Sequence, residues 1–286
     1  MALLIRQTRF QARTASMHPI LIQFFGFSIH SYGVMLAIGF MVGISLAARE
    51  AVRTGADPEK ILNLTFWILL SSILGSRLFH CIVFYPQYIR EPLRILKLWE
   101  GGLVFYGGLL AAILVTALYT RIHKLNFWEV ADLLMPSVIL GLVFGRIGCL
   151  LAGCCYGKVC DPDFVLAMTF RNPLGLGIKN EPLYPTQIIS AVNALVIFLI
   201  VWLYRKKKRF HGEVMAICLI LYSITRSLIE FLRDDPRGFL ELGNLGLSES
   251  QVVSVGLFLF AAYILTWIRP RQPVIPRTTR AKKSTP

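Results

Sequence analysis

Residues 131–152 read ADLLMPSVILGLVFGRIGCLLA. An α-helix needs about 20 residues to cross a hydrocarbon core of about 30 Å, and this stretch has them with only Asp132 and Arg146 charged. It therefore predicts a membrane-spanning helix. An arginine near the bilayer centre costs at least about 2.5–3.5 kcal/mol on insertion scales, so Arg146 needs a partner, a wet cavity or a function. The stretch that sets the fold class also marks a candidate working position.

Comparable apolar stretches lie at roughly 24–48, 61–85, 102–120, 187–204, 214–232 and 251–268. With 131–152 they predict an all-α polytopic membrane protein of seven transmembrane helices. Of the 286 residues, 55% are hydrophobic and only 16% charged, whereas soluble domains carry about a quarter charged. The formal net charge of +14 fits a surface facing anionic lipid. The basic residues form no arm interleaved with aromatics, which argues against nucleic acid as a partner.

Lys and Arg between the stretches set an orientation. Arg49, Arg53, Lys60, Arg121, Lys124, the run RKKKR at 205–209 and the basic tail fall on one side, which is the richer one. That side is expected to be cytoplasmic, with the N-terminus outside and the C-terminus inside. Residues 1–16, MALLIRQTRFQARTAS, hold Arg6, Arg9 and Arg13 without the apolar core of a signal peptide. They read either as a mis-assigned start ahead of Met17 or as a disordered tail. Residues 17–268 then form a single transmembrane catalytic domain, and 269–286 a basic, disordered cytoplasmic tail. The connection at about 153–186 is rich in turn residues and is expected to lie over the bundle outside the cytoplasm.

Two further arginines interrupt apolar runs: Arg77 in LGSRLFH and Arg226 in YSITRSLIEFLR. Arg77 either snorkels from a span end or works in a cavity. Tyr222, Arg226 and Glu230 are spaced by four and share one helical face. Arg226–Glu230 reads either as a structural ion pair or as a pair whose guanidinium keeps donors for a phosphate. Gly75 beside Arg77, and Gly145 and Gly148 beside Arg146, allow close helix approach. The run WEGGLVFYGG at 99–108, containing Tyr106, Gly107 and Gly108, either makes a tight turn or brings N–H groups to an anionic head group. His30 and Tyr32, in HSYG at 30–33, either satisfy neighbours or join the arginines in one cavity.

Six cysteines occur: Cys81, Cys149, Cys154, Cys155, Cys160 and Cys218. Four of them crowd GCLLAGCCYGKVC, but no pair of separated CxxC motifs marks a zinc site. A disulfide involving Cys160 and plain apolar packing both remain open.

Together, HSYGVML at 30–36, GSRLFHCIVFYPQY at 75–88, LWEGGLVFYGG at 98–108, GRIGCLLAGCCYG at 145–157, YPTQ at 184–187 and LYSITRSLIEFLR at 221–233 resemble the bacterial prolipoprotein diacylglyceryl transferases. The resemblance runs from His30 to about Trp267. It implies transfer of the diacylglyceryl group of phosphatidylglycerol to the lipobox cysteine thiol of a prolipoprotein signal peptide, with release of glycerol phosphate. It places the chain, as a multi-pass protein, in the bacterial cytoplasmic membrane, with the lipid bilayer, phosphatidylglycerol and prolipoprotein signal peptides as its partners. By the resemblance, Arg146 binds phosphatidylglycerol, Arg226 is essential, and Tyr32 and Tyr222 line the cavity. The expected catalytic residues are Arg146, Arg226 and Tyr106. Those expected to bind substrate are Arg146, Tyr32, Tyr222, Gly107, Gly108, Arg77, Glu230 and His30. The chemistry, thiol attack on a glycerol carbon, requires no metal or organic cofactor.

The chain departs from the family pattern. Tyr106 stands where a histidine proposed as general base is common, Cys149 replaces a common asparagine, Cys154 a glutamate, and Tyr184 a histidine. An unperturbed tyrosine, with a pKa of about 10, is a poor base at neutral pH. The alternatives are a diverged phosphatidylglycerol-binding or lipid-translocating paralogue, and a thiol-redox protein using the 149–160 cysteines.

Overall fold

The computed structural model of the chain describes residues 13–16, 18–24, 27–97, 101–171, 181–233, 239–242 and 245–271. Residues before 13, Trp99 with Glu100, part of the 153–186 connection and the tail past 271 lie outside the described residues. Eight α-helices occur among those described: α1 (Ser31–Thr54), α2 (Pro58–Val83), α3 (Tyr85–Arg90), α4 (Phe105–Ile122), α5 (Phe127–Ala152), α6 (Thr186–Tyr204), α7 (Glu213–Glu230) and α8 (Glu249–Tyr263). Three two-stranded pairs accompany them. β1 (Arg13–Ser16) runs parallel to β4 (Met168–Arg171), while β2 (Ile20–Phe24) with β3 (Phe27–His30), and β5 (Phe239–Leu242) with β6 (Leu245–Ser248), are antiparallel. The protein is a polytopic all-α membrane protein.

Among the described residues six helices are long and apolar enough to cross a bilayer, where the sequence predicts seven: Ser31–Thr54, Pro58–Val83, Phe105–Ile122, Phe127–Ala152, Thr186–Lys207 and Glu249–Arg271. The remaining expected stretch, 214–232, forms α7, whose apolar run is broken by Glu213, Arg226 and Glu230. Leu74, Leu78, Leu110, Leu114, Leu199 and Leu203 point outward and are exposed. On a water-soluble protein such faces would be a liability; hydrocarbon is their natural solvent.

Local signals set the helix ends. Asp57 caps α2 by accepting from the Glu59 N–H (3.0 Å), with Pro58 at the first helical position. Ser248 and Gln251 form a reciprocal capping box at α8. Glu213 closes the α6–α7 turn, accepting from the Tyr204 hydroxyl (2.9 Å) and from the Arg209 N–H.

The chain forms two compact units, one from residues up to Gly43 and from Met135 through α8, the other from Ile44–Leu134. In the 44–134 unit, α2 and α4 pack antiparallel at close range. A Cβ added at Gly108 would stand 2.9 Å from the Ser72 carbonyl oxygen, and one at Gly75 2.7 Å from that of Gly107. Ala47, Ala51, Ile61, Leu64, Tyr119, Val130 and Leu133 make this unit's core. In the other unit α5, α6 and α7 enclose Ile139, Val143, Ala194, Ile197, Val201, Val214 and Cys218.

Beyond the end of α5, residues 157–160 are clamped between two other segments. Gly157 N–H donates to Tyr184 O (3.0 Å), Lys158 N–H to Leu232 O (2.9 Å) and Cys160 N–H to Pro182 O (2.9 Å). This short ladder ties the exit of α5 to the start of α6 and the end of α7.

Candidate active site

Arg146 lies in the second half of α5, in the unit that joins residues up to Gly43 with those from Met135 onward, and is half-buried. Gly148, two residues further along α5, is buried against α1: a Cβ there would meet Tyr32 Cδ2 at 3.0 Å and Met35 Cβ at 3.2 Å. The missing side chain lets the first turn of α1 reach this part of α5. Tyr32 is accordingly in electrostatic range of Arg146 and of Cys149, Cys154 and Cys155. Among the described residues no hydrogen bond or ion pair reaches the Arg146 guanidinium. A half-buried guanidinium with unused N–H donors is chemically able to bind an anion by paired contacts.

Arg226 and Glu230 occupy one face of α7. Arg226 Nη1 donates to Glu230 Oε2 at 2.5 Å, both side chains being about 90% buried (8% and 10% exposed). Arg226 Nη2 donates to Ser250 Oγ on α8 at 2.7 Å. A guanidinium has five N–H donors, so donors remain after these two bonds. Glu230 also faces Arg233 Nε at 3.8 Å. Arg146 and Arg233 both lie within electrostatic range of Cys155, and Glu230 links Arg233 to Arg226.

Cys149, Cys154 and Cys155 come together, their sulfurs all within 4.8 Å of one another. The backbone fixes them where α5 ends. The Gln187 side-chain amide donates to Cys154 O (2.9 Å), and the Thr186 hydroxyl to Cys155 O (2.8 Å). Hydrogen bonds from the Cys149 and Cys154 thiols hold the Cys155 thiol below the ordinary thiol range, and the Arg233 and Arg146 charges reinforce this. Cys160 is buried apart from the group, and burial beside Asp161 pushes its thiol up.

Tyr222 is half-buried and packs on the α5–α7 core. His30 ends β3, paired with Ile20, and is exposed.

The other expected residues belong to the 44–134 unit. Arg77 is buried and donates to five backbone carbonyls: Nε to Ile95 (3.0 Å), Nη1 to Gly101 (2.6 Å) and Gly102 (3.2 Å), and Nη2 to Lys97 (3.1 Å) and Arg94. That count matches its five N–H donors. Gly101 and Gly102 adopt φ of +82° and +74°, which glycine enters freely; their carbonyls thereby turn toward Arg77. Gly107 and Gly108 are buried in the contact with α2, and Tyr106 is exposed in the first turn of α4.

Sequence reasoning passed over Arg233, Ser250 and Gly157. Arg233 continues the 226–230 face by three more residues, a spacing that was available as a signal. Ser250 had none, because its partner is 24 residues away. Gly157 is walled in, since a Cβ there would stand 2.7 Å from both the Leu232 and the Tyr184 carbonyl oxygens.

Residues 19–267 match the family model described as prolipoprotein diacylglyceryl transferase. The chain is 35% identical over 243 residues to phosphatidylglycerol–prolipoprotein diacylglyceryl transferase 2 of Clostridium perfringens, covering 85% of this chain and 92% of that protein. It is 34% identical over 257 residues to the phosphatidylglycerol–prolipoprotein diacylglyceryl transferase of Clostridium tetani, covering 85% and 97%. With the protein of that name from Escherichia coli the identity is 30% over 275 residues, covering 89% and 94%. A transmembrane α-helical chain matched over almost its whole membrane part belongs to the prolipoprotein diacylglyceryl transferase family.

Proposed function

We propose that this protein transfers the diacylglyceryl group of phosphatidylglycerol to the lipobox cysteine thiol of prolipoproteins in the bacterial cytoplasmic membrane, releasing glycerol phosphate. The observation that carries the reading is Arg146, a half-buried cation with no hydrogen-bond or ion-pair partner among the described residues, in a chain of this family. In the reaction the substrate sulfur forms a bond to a glycerol carbon, the bond from that carbon to the phosphate oxygen breaks, and the electron pair leaves with glycerol phosphate. Negative charge grows on the phosphate as it departs. Fixed donors aimed at that charge in a water-poor site lower the barrier.

Arg146 binds the phosphate by paired N–H contacts. Arg226 is held in place by Glu230 and Ser250 and offers its remaining donors to the same charge. Tyr32 and Tyr222 shape the cavity beside them, and His30 stands at its edge. Arg77, spent on carbonyls, pins residues 94–102; Gly107 and Gly108 seat α4 so that Tyr106 takes its place in the first turn. α7 crosses the membrane as the seventh span, because pairing within the helix neutralises Arg226 and Glu230. The Lys and Arg distribution then puts the N-terminus outside and the C-terminus in the cytoplasm.

The test uses the full-length protein in micelles containing labelled phosphatidylglycerol, with a peptide bearing a lipobox cysteine. Labelled diacylglyceryl should appear on the peptide and glycerol phosphate in solution, and Arg146→Ala should abolish both while remaining folded. A folded wild-type protein that binds phosphatidylglycerol but labels no thiol would overturn the reading.

A further inference from the structure

The proposed reaction needs a thiolate, and a free thiol has a pKa of about 8.5. Tyr106 is a poor base for it, as an unperturbed phenol has a pKa of about 10. Resting on the transferase reading, we infer that Cys149, Cys154 and Cys155 form a zinc site whose open fourth position takes the lipobox thiol and deprotonates it.

The geometry is close to what zinc requires. Sulfurs at about 2.3 Å from a tetrahedral zinc lie about 3.8 Å apart, and these three already lie within 4.8 Å of one another. Rotamer changes of under about 1 Å would close the site. The backbone is set for it. Cys155 has φ of +62°, a conformation costly for a side-chain-bearing residue and characteristic of functional sites. The carbonyls of Cys154 and Cys155 are anchored to Gln187 and Thr186. Cys149 is buried and Cys154 exposed, so one side of the cluster is closed and the other can be reached by an incoming thiol.

Charge balance favours the site. Three thiolates and one Zn²⁺ carry a net charge of −1, and both Arg146 and Arg233 lie in range of Cys155. Three protein ligands plus an exchangeable position is the arrangement of catalytic zinc, and a thiol that coordinates zinc is deprotonated outright. In the step, zinc binds the substrate sulfur and the thiol proton passes to water. The sulfur pair then forms the S–C bond as the C–O bond breaks toward the phosphate held by Arg146. Zinc keeps its oxidation state throughout.

The test starts from full-length protein, reduced and stripped with a chelator in detergent, and titrated with Co²⁺ and then Zn²⁺. The expected result is one metal per chain and a near-ultraviolet thiolate-to-cobalt charge-transfer band that zinc bleaches. The band should vanish in the folded Cys154→Ser/Cys155→Ser variant and, separately, in folded Cys149→Ser, either one serving as the test should the other fail to fold. It should persist in Cys81→Ser. In the transfer assay, stripping should slow the wild type by about 30-fold at pH 7, the ratio between a full thiolate and a thiol of pKa about 8.5. Zinc should restore the rate, and the gap should narrow as pH rises. Full transfer by stripped protein with no cobalt band would overturn the zinc site and leave the transferase standing, as would full transfer with two of these cysteines joined in a disulfide. A bound metal with no transfer in any state would instead overturn the transferase reading, and thiol activation with it.

Discussion

Replacing Arg77 and Arg146 by lysine, one at a time, keeps the charge at each position and removes the guanidinium. Arg77 makes five hydrogen bonds to carbonyls, while an ammonium has three donors. At least two carbonyls therefore lose their partner. Hydrogen bonds to charged groups contribute about 1.5–3 kcal/mol each, so Arg77→Lys should destabilise the protein by about 3–6 kcal/mol. That is a large share of a total stability of about 5–15 kcal/mol. Arg146 makes no such bonds among the described residues, so Arg146→Lys should leave stability nearly unchanged. Its loss falls on the reaction instead: one charge-assisted bond removed from the phosphate costs about 1.5–3 kcal/mol, or about 10–150-fold in transfer rate. Thermal denaturation in detergent, followed by size-exclusion, reads the first quantity, and the labelled-peptide assay, normalised to folded protein, the second. The reasoning is refuted if Arg77→Lys melts like wild type, or if Arg146→Lys unfolds the protein while the folded remainder transfers normally.

Three other outcomes are expected. Glu230→Gln leaves Arg226 and Arg233 without their carboxylate, and breaking a buried pair costs about 3–5 kcal/mol; melting temperature and transfer should fall together, and a variant with both unchanged would show that Glu230 does not hold Arg226. Gly157→Ala forces a methyl to within 2.7 Å of the Leu232 and Tyr184 carbonyl oxygens, which should cost about 1–3 kcal/mol and show as a lower melting temperature. Cys160, whose thiol burial pushes up, should react with iodoacetamide more slowly in the folded than in the denatured protein near pH 8.5. Because its folded pKa is the higher one, its contribution to stability is present below the unfolded thiol pKa and is lost as pH rises through the folded value; equal labelling rates would contradict its burial.

Much of this protein was legible in local sequence. The apolar stretches foretold the helices, because a bilayer demands length and hydrophobicity that no tertiary contact can supply. The Arg226–Glu230 pair was equally readable, since residues four apart on a helix are neighbours whatever surrounds them. At α7 the same logic reached its limit: Arg226 and Glu230 interrupt the stretch and Glu213 opens the helix, and among the described residues six helices rather than seven are apolar enough to cross by composition alone.

What tertiary structure decided was the state of each unusual residue. Arg77 and Arg146 look alike in sequence, each an arginine among apolar residues and glycines. The partners of Arg77 lie 17 to 25 residues away, on carbonyls turned by the chain past α3, whereas those of Arg146 are not in the described chain. Cys149, Cys154 and Cys155 fit no zinc spacing, yet a left-handed turn beyond α5 folds their sulfurs together. Periodicity carries only short-range geometry. Whether a buried donor is already satisfied, or three thiols converge, depends on segments distant in sequence, and only the folded chain brings those together.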